Sequence, residues 1–325
     1  MRIKANIEKI PGGLMVVPLL LGAVINTFAP GMLRIGGFTQ ELFVDGALVL
    51  IALFLLCAGA QINVKNVGVT IGKGVTLLTV KWLVGATIGL IAYMFAGPEG
   101  LFLGLAPIAI IAAMTNSNGG LYVALVGQYG KEDDRAAYSI LALNDGPFLT
   151  MVALSIFGAM GFVEGLFSFT DFIAVLLPIV IGAVLGNLDE EIREFLSTGS
   201  NMLIPFFAFA LGMGIDFADI LAGGLGGVVL GLMTVFITGT AGYWAFKLFN
   251  WNPIVGASEG STAGNAVATP AAIASANAAF ASIESIATVQ VAASVVTTAI
   301  LLPIYIGFLV KRAEKKGKMQ EYMQK

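Results

Sequence analysis

The stretch "ASEGSTAGNAVATP" (257–270) sets Glu259 among small polar residues, between runs that are otherwise close to pure oil. A charged carboxylate is costly inside hydrocarbon, and burial disfavours its ionised form. A carboxyl group placed there can take up and release a proton in step with a solute. Ser261, Thr262 and Asn265 beside it supply hydroxyl and amide groups for a polar molecule. A second cluster has the same character. "AIIAAMTNSNGGLYVAL" (109–125) puts Asn116, Ser117 and Asn118 within an apolar run.

Two further positions belong with these. "LALNDGPFLT" (141–150) holds Asn144 and Asp145, candidates for solute and proton respectively; a turn there would leave too short a stretch to span, so a helix kinked at Pro147 is expected. Lys81 lies about 12 Å along a helix from Lys73. It is placed to attract an anion, to pair with a carboxylate or to snorkel to the interface. Glu284 reads as a first-turn carboxylate that complements a helix dipole, and Gln61, Asn63 and Gln290 read as side chains bonding one helix to another.

Other chemistries are excluded or weakened. With no histidine, a Ser–His dyad and the common transition-metal sites are not expected. The single cysteine, Cys57, forms no disulfide within the chain. The string "GVTIGKG" (68–74) has the wrong spacing for a Walker A loop. No cofactor and no nucleic-acid partner is expected.

These residues need elements to hold them. The chain is 58% hydrophobic and 11% charged, far from the balance of a soluble domain. A bilayer core takes about 20 apolar residues of helix. Such windows fall at roughly 13–30, 44–62, 70–96, 101–128, 134–161, 170–187, 199–215, 221–248, 252–277 and 280–310. With both termini inside, every Lys and Arg except Arg34 and Lys81 lies on the inner side, as the positive-inside rule requires. The expectation is an all-α polytopic membrane protein of ten spans.

An internal repeat is legible. "LFLLCAGAQIN" (53–63) matches "FFAFALGMGID" (206–216), and "NSNGGLYVAL" (116–125) matches "GSTAGNAVAT" (260–269). Residues 1–161 and 162–325 then form two five-span repeats, and an odd number of spans inverts one against the other. Secondary transporters are built this way, with the site at the repeat interface. The polar clusters fall in spans four and nine, at corresponding places. Ser, Asn and Gly are poor inside helices and good at helix starts. Broken helices are expected, restarting near Ser117–Asn118 and near Ser261–Thr262, their N-termini suited to a carboxylate. Surface loops with a different span count, or close packing through small residues, are the plainer readings.

The strings "TNSNGGLYVALVGQYG", "YSILALNDGPFLTM" and "GASEGSTAGNAVATPAAIA", with the start "IKANIEKIPGGLMVVPLLLGA", resemble the 2-keto-3-deoxygluconate permease family of bacteria over essentially the whole chain. The resemblance implies a proton symporter of the bacterial cytoplasmic membrane, taking up a small anionic sugar acid. It also implies the fold of the bile acid, arsenite and riboflavin transporter superfamily. There, spans 1, 2, 6 and 7 form a panel, spans 3–5 and 8–10 a core, and spans 4 and 9 cross as broken helices. Asn116, Ser117 and Glu259 fall near the cation positions of the sodium–bile acid relatives, whereas Asn144 and Asp145 depart from them. Sodium coupling is therefore the alternative to proton coupling. An intramembrane hydrolase using Ser261 and a passive channel are more distant ones.

Overall fold

The computed structural model describes residues 2–9, 13–62, 71–131, 134, 137–141, 147–161 and 169–324. Among them it is helical, without a β-strand. Hydrocarbon offers no hydrogen bonds, so apolar windows of this kind must satisfy their backbone internally, and helix is the local solution. Among the described residues, five helical stretches are long and apolar enough to cross a membrane: Gly72–Ala96, Pro107–Tyr129, Glu190–Gly212, Ala218–Leu248 and Ala278–Lys315. The pair Gly37–Phe43 and Ala47–Ala60, bent by 61°, makes a further candidate, and Gly13–Phe28, Phe148–Ala159 and Leu176–Leu188 are shorter apolar helices.

Helices fall in all the windows read from the sequence. They include α1 (Gly13–Phe28), α2 (Ala47–Ala60) and α3 (Ile71–Ala96). The fourth window divides into α4 (Pro107–Thr115) and α5 (Gly119–Tyr129). The fifth holds Tyr138–Leu141 and α6 (Phe148–Ala159). Pro147 precedes α6 as its N-cap, while Asn144 and Asp145 lie outside the described residues, as does Asn63. Next come α7 (Phe169–Leu188), the amphipathic α8 (Glu190–Met202) and α9 (Ile204–Gly212). The window read as 199–215 thus has a polar helix leading into it, begun by Asp189, whose carboxylate accepts from the amides of Glu191 and Ile192.

The eighth window is α10 (Phe217–Met233), a π-helical turn at Thr234–Thr238 and α11 (Gly239–Leu248). A π turn opens the i→i−4 ladder. Here it lies where Gly260 packs within 3.1 Å of the Val235 carbonyl, measured from the position a Cβ would take. The ninth divides into α12 (Pro253–Ala257) and α13 (Thr269–Ala276), and the last is α14 (Glu284–Lys315). Glu284 opens α14, in the first turn where a carboxylate offsets the N-terminal dipole. The short α15 (Met319–Gln324) folds back after it.

Packing is intimate where side chains vanish. α1 lies against α9, α2 against α7, α3 against α4, α10 against α14, and α11 against α12. Gly242 of α11 and Gly256 of α12 face each other so closely that a Cβ on either would come 2.2 Å from the other's carbonyl oxygen. Small residues at such crossings let helix backbones approach when no hydrophobic force drives them together in lipid. The core centres on α4, buried at every one of its residues, and on the Ala- and Val-rich faces of α13 and α14.

Candidate functional site

The first piece of each interrupted helix, α4 and α12, starts on a proline, whose missing N–H costs nothing at a first helical position. Pro107 starts α4, and Gln290 of α14 secures the preceding turn. Its Oε1 accepts from the Ala106 amide at 2.8 Å and its Nε2 donates to the Gly104 carbonyl at 2.8 Å. The expectation that Gln290 bonds helices together is met at both ends of its amide. Replacing it with Leu leaves both backbone groups without that partner, and a loss of about 1–3 kcal/mol is expected, read as a lower unfolding temperature in detergent.

The first break is short. Helix α4 stops at Thr115, Asn116 is extended, and Asn118 caps α5 by accepting from the Leu121 amide at 3.0 Å. The Asn116 carboxamide accepts from the Ser117 amide at 2.8 Å. The restart near Ser117–Asn118 is where the residue types put it. The second break is longer and corrects the expectation. Helix α12 ends at Ala257, residues 258–263 are irregular, and the chain restarts at Gly264 as a 3-10 turn before α13. Ala263 stands at the N-cap of that turn and offers no side-chain bond, so Ser261 and Thr262 do not cap. Thr262 is engaged otherwise. Its amide donates to Thr298 Oγ1 at 3.1 Å, and its hydroxyl donates to the Ala113 carbonyl at 3.2 Å and lies 2.8 Å from Ser294 Oγ.

That bond to Ala113 joins the second break to the end of the first half-helix. Lys81 completes the junction. Its Nζ donates to the carbonyls of Glu259 at 2.8 Å and Ser261 at 2.5 Å, and stands 3.5 Å from Glu259 Oε1. Lysine and glutamate are each only 2% exposed. Snorkelling is excluded by that burial; the partner is a carboxylate and the freed carbonyls of the break. A buried charge is tolerable when paired and hydrogen-bonded, and Lys81 meets the requirement with two carbonyl bonds and the ion pair to Glu259.

Glu259 does not. Neither of its carboxylate oxygens accepts a hydrogen bond of standard geometry. The Ser117 hydroxyl lies close enough to the carboxylate for a hydrogen bond of relaxed geometry, although no standard bond forms at its Oγ. Ser261 Oγ, Asn265 Oδ1 and Thr269 Oγ1 share that condition. Buried polar atoms are rarely unpaired, and a cluster of them marks a place where polar matter is handled. Ser117, Ser261 and Asn265, named from the sequence, thus have unpaired side-chain oxygens buried at the two breaks. Asn118 and Thr262 are in the same region with their polar groups engaged in the fold.

The family model of 2-keto-3-deoxygluconate permease matches residues 4–315. The chain belongs to that family. It is 51% identical to 2-keto-3-deoxygluconate permease 1 of Salmonella typhimurium over 99% of both chains. It is 38% identical to the 2-keto-3-deoxygluconate permease of Bacillus subtilis, covering 97% of this chain and 96% of that one. In fold it is similar to the sodium proton antiporter MjNhaP1 of Methanocaldococcus jannaschii, with a TM-score of 0.59 at 14% identity over 93% of this chain and 92% of that one. This family member is a permease, not an enzyme, and the hydrolase reading of Ser261 falls.

A second, partly buried ion pair of the permease carried no mark in the sequence. Lys73 Nζ lies 2.5 Å from Asp134 Oδ1, the Lys131 amide donates to Asp134 Oδ2 at 2.8 Å, and the Tyr122 hydroxyl donates to the Asp134 carbonyl at 2.8 Å. Asp134 sits in the charged string "GKEDDR", yet it is 1% exposed. Tyr122 is fully buried, within electrostatic reach of both Asp134 and Glu259. Ser294 and Thr298 were likewise invisible among the hydroxyls of an apolar helix, and only their bonds to Thr262 assign them here.

Proposed function

We propose that this permease imports 2-keto-3-deoxygluconate across a bacterial cytoplasmic membrane with a proton, by alternating access. The observation that carries the reading is the buried Lys81–Glu259 pair at the junction of two interrupted helices, among side-chain oxygens without partners. In the resting junction the ammonium and carboxylate compensate each other. Protonation of Glu259 removes its charge and leaves Lys81 free to meet the carboxylate of the sugar acid. Proton plus anion restores neutrality, so the loaded core crosses the low-dielectric region without an extra charge. Ser117, Ser261 and Asn265 are then the groups for the hydroxyls of the substrate, with Asn116 and Asn118 shaping the first break. Asn144 and Asp145 keep their proposed roles as second candidates for solute and proton.

The architecture we propose has ten spans in two inverted five-span repeats, 1–161 and 162–325, with both termini cytoplasmic. Its support is a set of matched positions. Pro18 and Gly22 within α1 have counterparts in Pro178 and Gly182 within α7. Gly59 of α2 and Gly212 of α9, aligned by the repeat, each meet a carbonyl of the neighbouring helix closely: a Cβ would lie 2.2 Å from the Ile179 oxygen and 2.1 Å from the Leu19 oxygen. The α1–α9 and α2–α7 pairings thus exchange under the repeat, as expected of a panel built from spans 1, 2, 6 and 7. The crossing pair of breaks belongs to the proposed core.

Proteoliposomes test the coupling. Labelled 2-keto-3-deoxygluconate is expected to accumulate when the exterior is made acidic without sodium, and accumulation should collapse with a protonophore. Uptake that follows a sodium gradient at fixed pH, and ignores the proton gradient, would replace the proton by sodium.

A further inference from the structure

The C-terminal ends of α11 and α14 leave between them a cavity of about 200 Å³, away from the crossing of the broken helices. Among the described residues, four cations line it, Lys247, Arg312, Lys316 and Lys318, and no carboxylate does. None of the four takes part in a salt bridge among the described residues. Basic side chains in a last turn complement the helix dipole, which accounts for Lys247 and Arg312 but not for four exposed cations gathered on one wall.

The chain constructs that wall. At the end of α14 the Lys318 amide bonds to the Ala313 carbonyl and the Gly317 amide to the Glu314 carbonyl, both at 2.9 Å. Gly317 has φ +64°, the left-handed conformation that this helix stop requires and that glycine adopts without strain. The turn carries Lys316 and Lys318 to the cavity and sends α15 back. Tyr322 of α15 is thereby buried, packing in one apolar cluster with Leu302, Ile306 and Val310. Its hydroxyl lies near that of Tyr243 on α11. Lys247 is held over the Trp244 ring, 4.3 Å from its centroid. Trp244 itself is exposed, as are Ile304 and Phe308, one turn apart on α14.

We propose that this cavity binds a phosphate group, supplied by the head group of an anionic phospholipid whose chains lie along the exposed apolar face of α14. A guanidinium offers a planar fork to phosphate oxygens, ammonium groups add point charge, and phenolic hydroxyls add neutral donors. Aromatic residues beside the cations suit the level of the membrane interface. A soluble phosphate anion would satisfy the same groups and is the other source of the chemistry.

The test uses the purified full-length chain in detergent, with phosphatidylglycerol, phosphatidylcholine and inorganic phosphate as separate probes. Binding is read by native mass spectrometry and by the rise in unfolding temperature. Phosphatidylglycerol should be retained in preference to phosphatidylcholine. The variant Arg312→Gln/Lys316→Gln/Lys318→Gln should hold it on the order of a hundredfold more weakly. A charge-matched control, Arg2→Gln/Lys4→Gln/Lys9→Gln, should behave as the parent does. Stabilisation by inorganic phosphate alone, lost in the triple variant, would uphold the site and assign it to a soluble anion. Should the triple variant fail to fold, Lys316→Gln alone, on an exposed turn, gives the same comparison with a smaller drop. Equal retention of both lipids by parent and variant, with no response to phosphate, overturns the proposal.

Discussion

Lys81→Met is expected to abolish accumulation and to lower stability by about 3–5 kcal/mol, because it leaves the Glu259 carboxylate buried without its counter-charge. The lysine also supplies donors to the Glu259 and Ser261 carbonyls, so the irregular segment between α12 and Gly264 loses its tether as well. The double variant Lys81→Met/Glu259→Gln should recover much of the lost stability, since an apolar or neutral pair avoids the cost of an isolated charge. It should recover no proton-driven uptake. That split separates a coupling pair from a structural one, and unfolding in detergent alongside proteoliposome uptake reads both halves. A double variant that accumulates substrate like the parent would remove the pair from the mechanism.

Gly256→Ala is the second large effect expected. The added methyl would sit 2.2 Å from the Gly242 carbonyl oxygen and 2.9 Å from Phe246 Cβ, and neither the backbone nor a Cβ can swing aside. Helix α12 must move off α11, at a cost of about 1–3 kcal/mol for overpacking or more. Glu259 follows three residues later, so the displacement reaches the Lys81 pair. Uptake should fall at least tenfold, on the principle that small misplacements of reacting groups are disproportionately costly. Gly307→Ala on α14 is the control. Nothing lies within 4 Å of its Cβ position, and uptake there should stay near that of the parent. Equal activity of the two variants would show that the α11–α12 contact does not position the site.

Much of the candidate site was legible because lipid makes polar residues conspicuous. Asn116, Ser117, Asn118 and Glu259 stand out in apolar runs, and side chains that favour helix starts over interiors mark where a helix should stop. The first restart followed from that chemistry, with Asn118 at the cap. The second did not. Ser261 and Thr262 have the right side chains for capping, but Thr298 and Ser294 on α14 engage Thr262, and the helix waits until Gly264. Local preference yielded to a tertiary partner.

The sequence by itself determined helical segments within apolar windows and the positions of two polar interruptions. Those properties follow from one rule: backbone in hydrocarbon must bond to itself except where something polar lines a cavity. Only the tertiary structure decided which charges meet. Lys81 reaches the Glu259 carbonyl across 178 residues, and Lys73 reaches Asp134 across 61. In the sequence, Lys81 read equally as anion trap, ion-pair partner or snorkelling side chain, and Asp134 carried no assignment. Pairing over such separations depends on how helices cross, set by glycine contacts and side-chain bonds that local sequence does not encode.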